Sequence, residues 1–104
     1  MTAMADASKR VTAASMKSYE GQFFVFERPL RPDGVRGDDA RMQLLRVGET
    51  EMVFLLLGQP PLEQGLHRMM HREFENVEME LERVIVPRRG RQDPVGMYYR
   101  AQVE

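Results

Sequence analysis

Apolar positions along this chain change their spacing several times, and each change marks a predicted element. Phe23, Phe24, Val25 and Phe26 form a continuous apolar run of high β-propensity, ended by Pro29. That run predicts a short strand covered on both faces. The following LRPDGVRGDDA is rich in proline, glycine and aspartate, which is turn chemistry and predicts a loop. Residues 41–58 then read as a hairpin. Met42, Leu44 and Arg46 fall on one face of its first arm, Gly48 begins the turn, and Met52 to Leu57 form the return arm. The block Val53 to Leu57 is short enough to be a buried strand.

From Pro61 to Phe74 the spacing lengthens. Leu62, Leu66, Met69, Met70 and Phe74 recur at intervals of three and four, the stripe of an amphipathic helix, with a proline in its first turn. The next segment, NVEMELERVIVP, is ambiguous by itself. It continues the helical stripe through Val77, Leu81 and Val84, yet it also alternates Val77, Met79 and Leu81 with Glu78, Glu80 and Glu82. The segment VGMYYRAQV decides between the two. If the pair folds so that facing residue numbers sum to 182, Ile85 meets Met97, Leu81 meets Ala101 and Met79 meets Val103. On the opposite side Glu82 meets Arg100, an opposite-charge cross-strand pair. A helix would leave VGMYYRAQV without that partner, so both segments are predicted strands.

The resulting order is three strands, a short helix and two strands. It predicts a mainly β domain, a five-stranded OB-fold barrel with a short helix between strands 3 and 4. An SH3-like barrel or an open α+β meander accommodates the order less well. With 104 residues the chain is expected to be one domain over 9–104, preceded by a disordered tail at 1–8. Met1 to Ser18 lacks the apolar centre of a secretory signal, and Asp6 with few arginines argues against a mitochondrial presequence. No apolar run is long enough for a membrane span. The lack of cysteine excludes disulfides and thiolate metal sites.

The net charge of −1 is not the basic excess of an autonomous DNA-binding protein, but the charges are segregated. Glu73, Glu75, Glu78, Glu80 and Glu82 run without an intervening base, and Arg83, Arg88, Arg89 and Arg91 follow. In an OB-fold the loops after strands one and four clamp single strands. Arg28, Arg31, Arg36 and Arg41 fall in or beside the first, with Asp33, Asp38 and Asp39; Arg88, Arg89 and Arg91 fall in the second. Arg31, Arg36, Arg88, Arg89 and Arg91 are therefore the candidate phosphate contacts, with Tyr98 or Phe24 as the exposed aromatic on which a base could stack. The competing expectation is a solvated rim.

Catalysis is not expected. His67 and His71 lie four apart on the predicted helix, a metal-binding spacing, but Arg68 stands where a zinc protease has glutamate. They read as solvated histidines. Arg36-Gly37-Asp38 reads as loop. No serine or lysine has activating neighbours and there is no phosphate-cradling glycine loop, so no enzyme, metal or cofactor is expected.

The stretch RVTAASMKSYEGQFFVF, Arg10 to Phe26, resembles the N-terminal segment of the smallest subunit of replication protein A. Members of that family open with a polar tail, then Arg, Val or Ile, and Asn or Thr. A small residue, an apolar pair, an aromatic, often a glycine, and the first strand follow. Arg10, Val11, Thr12, Ala13, Met16, Tyr19, Gly21 and Val25 occupy the pattern without a gap. Further on, LLGQPPLEQGLHRMMHREFENVEMELERVIV is similar to the family's third strand, Pro-Leu connection and valine-rich fourth strand. Phe26 and Glu27 stand where the family has a glycine. The family also ends in a helix that bundles with two larger subunits, whereas the sequence given ends at Glu104, directly after the last predicted strand.

The resemblance implies a nuclear, non-enzymatic scaffold subunit of a heterotrimeric single-stranded-DNA-binding complex in replication, repair and recombination. Its partners would be the larger subunits of replication protein A, with DNA held mainly through the complex. The smallest subunit of the telomeric CST complex shares this architecture and is the nearest alternative. An autonomous single-stranded nucleic-acid binder using the arginine loops is the second, and a small adaptor unrelated to nucleic acid the third.

Overall fold

The computed structural model describes residues 9–28, 33–34, 39–84 and 96–103. These form one short helix, α1 (Ala13–Lys17), and six strands: β1 (Phe23–Phe26), β2 (Ala40–Val47), β3 (Glu51–Leu57), β4 (Gly65–His71), β5 (Phe74–Val84) and β6 (Gly96–Gln102). The strands close into a barrel in the order β1-β2-β3-β6-β5-β4, and every neighbouring pair is antiparallel. The mainly β barrel stands, but two details are corrected. There are six strands, not five, and the helix precedes β1 instead of separating the third and fourth strands.

The two corrections have one cause. Residues 65–71, expected as helix, are strand β4. Gly65 has φ 131°, a conformation no helix passes through and one that favours glycine. Beyond it the alternation of His67, Met69 and His71 prevails over the three-and-four stripe. His67 and Met69 are buried, whereas Leu66, which a helix would have buried, is 64% exposed. β4 also satisfies two neighbours at once, pairing Phe26 with Met69 on one edge and His67 with Met79 on the other. A helix there would leave both edges with unpaired backbone groups. A tight turn at Arg72 and Glu73 then leads into β5, fixed by the Glu73 N–H donating to Nδ1 of His71 at 3.0 Å.

The other registers follow the sequence closely. Glu82, Arg83 and Val84 pair with Arg100, Tyr99 and Tyr98, each couple summing to 182 as the pattern predicts. Met79, Leu81, Ala101 and Val103 are buried, while Glu78, Glu80 and Glu82 face outward. NVEMELERV is therefore strand. Ile85, the expected partner of Met97, lies outside the described residues. In the β2–β3 hairpin Gly48 donates to Glu51 O at 2.7 Å. A bulge between Leu44 and Arg46 breaks the alternation there. It sends Val47 inward and leaves Arg46 outside, where the unbroken pattern had put Arg46 with Met42 and Leu44. β1 is covered only inside: Phe24 and Phe26 are fully buried, but Phe23 is 49% exposed.

The helix is held by a capping box, in which the Ser15 N–H donates to Thr12 Oγ1 at 3.0 Å and the Thr12 N–H donates to Ser15 Oγ at 3.0 Å. It delivers Met16 into the core. Glu20 then fastens this segment to the end of β2 by accepting the Val47 N–H at 2.7 Å.

The connection from β3 to β4 is clamped from within. Tyr99, fully buried, donates its hydroxyl to Leu62 O at 2.7 Å and accepts the Leu62 N–H at 2.8 Å. Buried His67 secures the same region, its Nδ1 3.2 Å from Glu27 O and its Nε2 2.6 Å from Glu63 O. One hydroxyl thus meets both backbone groups of a residue that no strand pairs. Tyr99→Phe is expected to strand both groups and cost about 1–3 kcal/mol. Thermal unfolding should show a lower midpoint, whereas an unchanged midpoint would remove the clamp from the account.

Candidate functional site: the outer face of the barrel

Inward positions are occupied by packed side chains, so chemistry or binding has to be sought outside. Five of the sequence-predicted contacts, Arg31, Arg36, Arg88, Arg89 and Arg91, lie outside the described residues, as does Arg36-Gly37-Asp38. The sixth, Tyr98, is half-buried on the outward side of β6, paired with Leu55 on β3 and Val84 on β5. Phe24, the other aromatic suggested for stacking, is in the core. Its neighbour Phe23 has the exposed place. A strand turns successive side chains to opposite faces, so an error of one residue in phase swaps the buried ring for the exposed one.

Arg28 is committed to the scaffold: its two terminal nitrogens donate to Pro61 O at 2.9 Å and to Pro60 O at 2.8 Å. Arg41 differs. Its guanidinium carbon sits 4.8 Å from the centroid of the Phe23 ring. Its backbone is held on both sides by Gln59, which accepts the Arg41 N–H at 3.1 Å and donates to Arg41 O at 2.9 Å.

The ring order fixes what lies opposite what. In a ring of six, β5 is diametrically across from β2, and β6 across from β1. Outward from β1 and β2 come Phe23, Val25, Arg41, Gln43, Leu45 and Arg46, with no carboxylate among them. Outward from β5 come Glu78, Glu80 and Glu82, of which Glu82 holds Arg100 at 2.6 Å. The near-zero net charge thus divides into a cationic side and an acidic side. Tyr98 and Phe23 stand on opposite sides and cannot form one platform.

Between these sides runs an apolar strip on β3. Val53 and Leu55 are half-buried and Leu57 is 46% exposed, although all three point away from the core. Leu45, outward in the same phase as Arg41 and Gln43, and Tyr98 on β6 extend the strip on either flank. Apolar residues at three successive outward positions explain why the sequence read this strand as buried. A polar recess of about 430 Å³ lies elsewhere, lined by Gln64, Gly65, Glu80, Leu81, Glu82, Arg100 and Gln102. Its arginine is already paired with Glu82, and its two carboxylates would repel an anion.

His67 and His71 are not a solvated helical pair. Both point inward from β4; His71 packs against Phe24 with ring centroids 4.6 Å apart. Four strand residues separate them by about 13 Å, too far to share a metal ion. Among the described residues no group of His, Asp or Glu is arranged to hold a metal, and no helix is long and apolar enough to cross a membrane.

A polar relay missed by the sequence reading ties the N-terminal segment to the β4–β5 turn. Lys9 Nζ donates to the Tyr19 hydroxyl, which donates to Glu73 Oε1 at 2.6 Å. The backbone joins the same contact, with the Lys9 N–H donating to Glu73 O at 3.0 Å and the Glu75 N–H to Lys9 O at 2.9 Å. The Tyr19 hydroxyl is the main cause that lowers the pKa of Glu73 and raises that of Lys9. Nothing in sequence spacing signals contacts between residues so far apart. The relay lies on the surface and holds the N-terminal segment in place.

The chain matches no protein-family model, and no match to it is found among curated proteins or solved structures.

A carboxylate whose folded pKa is lowered stabilises the fold above the ordinary glutamate value and loses that contribution as pH falls through the folded value. Lys9, raised, contributes below its ordinary value and loses the contribution as pH rises through the folded one. Tyr19→Phe should therefore be most destabilising between these limits, and the gap from wild type should narrow at pH 3. Melting curves at pH 7 and pH 3 check this; a gap that does not change with pH would deny the relay its electrostatic role.

Proposed function

We propose that this chain is a structural subunit of a single-stranded-DNA-binding assembly, built as an OB-like barrel and acting in the nucleus in DNA replication, repair and recombination. The observation that carries the reading is the apolar strip Val53, Leu55 and Leu57, flanked by Leu45 and Tyr98, on the outside of a barrel whose inside is filled. A surface of that kind is what a subunit presents to another protein. Three further features support it. The order is a three-strand meander followed by strands that return to close on β1, as in an OB-fold with β4 standing where the helix is expected. The acidic side on β5 disfavours wrapping by a polyanion. The resemblance of Arg10 to Phe26 to the smallest subunit of replication protein A supplies the kind of assembly: larger OB-fold subunits that hold most of the DNA. A telomeric CST-type assembly is the related alternative.

The test is assembly. Mixed with the large subunits of replication protein A, the wild-type chain is expected to form a stable complex by size exclusion. Leu57→Glu, folded by circular dichroism because the side chain is already half in solvent, is expected to weaken that association at least tenfold. By itself the chain should bind a single-stranded oligonucleotide far more weakly than the complex does. A chain that binds DNA alone as tightly as the complex, or a Leu57→Glu variant that assembles normally, would contradict the reading.

A further inference from the structure

The outer surface holds a second feature that the scaffold reading does not use. Phe23 is nearly half exposed, and Gln43 on β2 lies between it and Leu55 of the apolar strip. Arg41 lies over the ring. Arg46, further along the same strand, is paired with Glu51 at 3.9 Å, so Arg41 supplies the charge here. Gln43 is fixed by donating to Gly21 O at 3.0 Å. Gln59 grips the Arg41 backbone from both sides, so the guanidinium approaches the ring from a fixed point. Arg41 has no carboxylate partner among the described residues.

We propose that the Phe23–Arg41 pair is a contact for single-stranded nucleic acid, in which a base stacks on the planar surface of the pair and Arg41 faces the neighbouring phosphate. The inference rests on the reading of the chain as part of a DNA-binding assembly and adds a direct contact to it. Three observations select nucleic acid over protein. The ring carries a guanidinium over its face and meets Gln43 across the strand pair, whereas a docking patch would be apolar throughout. The outward positions of β1 and β2 carry no carboxylate, and Arg41 has no carboxylate partner among the described residues, which suits a polyanion. The glutamates of β5 lie diametrically across the barrel and orient a polyanion toward this side. Stacking is tolerant of sequence because every base has a π-face, so the site would hold single strands of any composition.

The experiment is a titration of the isolated full chain with oligothymidylate of about eight nucleotides, within the length a single barrel of this size spans, followed by amide NMR at low salt. Shifts are expected at residues 23–26 and 40–46 and not along β5. Phe23→Ala should weaken binding about tenfold or more, the loss of one stacked base. Phe23→Tyr should preserve it. Arg41→Ala should weaken binding and also lower the salt dependence by about one released ion. Phe23 points out of the barrel, so these variants keep the fold, which their spectra will confirm. The proposal is overturned if the shifts fall elsewhere or are absent, or if Phe23→Ala binds like wild type. It is overturned too if Phe23→Leu binds oligothymidylate as well as wild type, because leucine retains apolar bulk but not a π-face. All the Phe23 variants should still join the large subunits. If they assemble but do not bind DNA differently, the contact fails and the scaffold stands; if the wild-type chain itself does not assemble, the scaffold fails.

Discussion

Closure of the ring by β4 is the contact on which the rest of the structure depends. Strands that are all antiparallel to their neighbours can close only in even number, because direction alternates at every step. Five strands in the expected order would need one parallel pair or one open edge. β4 removes both problems by pairing β1 on one side and β5 on the other. The Lys9 contact to Phe74 and the Tyr99 clamp on Leu62 then secure the two places where the chain enters and leaves this closing element.

Closure also decides what the surface can do. With six strands, each strand has one diametric opposite, so the glutamates of β5 are as far as the barrel allows from Arg41 and Gln43 on β2. A near-neutral chain thereby acquires a cationic side without a basic composition. The same closure turns Val53, Leu55 and Leu57 outward, because Phe54 and Leu56 already fill the inside. Surface chemistry follows from the parity of strand positions, and the β2 bulge alters that parity by turning Arg46 outward.

How much of this was legible varies with the range of the interaction. Local alternation and one cross-strand register were readable: β5 and β6 pair as the 182 sum requires, and Glu82 meets Arg100. The β2–β3 hairpin was readable for the same reason. Over residues 61–74 the sequence predicts a helix because Leu62, Leu66, Met69, Met70 and Phe74 fit a helical stripe by coincidence, while the pairing that overrides it comes from β1, far away in sequence. Gly65 was the available warning, since glycine weakens a helix interior. A run of four apolar residues carries no phase, so nothing local says which of Phe23 and Phe24 faces in. The relay ties Lys9 and Tyr19 to Glu73, 54 residues beyond Tyr19, and no sequence spacing signals it. Arg31, Arg36, Arg88, Arg89 and Arg91 lie outside the described residues, and the candidate contact is on strands.

The most direct test of the closed six-stranded barrel is a set of nuclear Overhauser contacts and amide exchange rates for residues 65–71. The account predicts long-range contacts between Phe26 and Met69 and between His67 and Met79, with the β4 amides exchanging as slowly as those of β2 and β3. Sequential helical contacts across residues 62–74, with no contact from β4 to β1, would contradict it and return the fold to five strands and a helix.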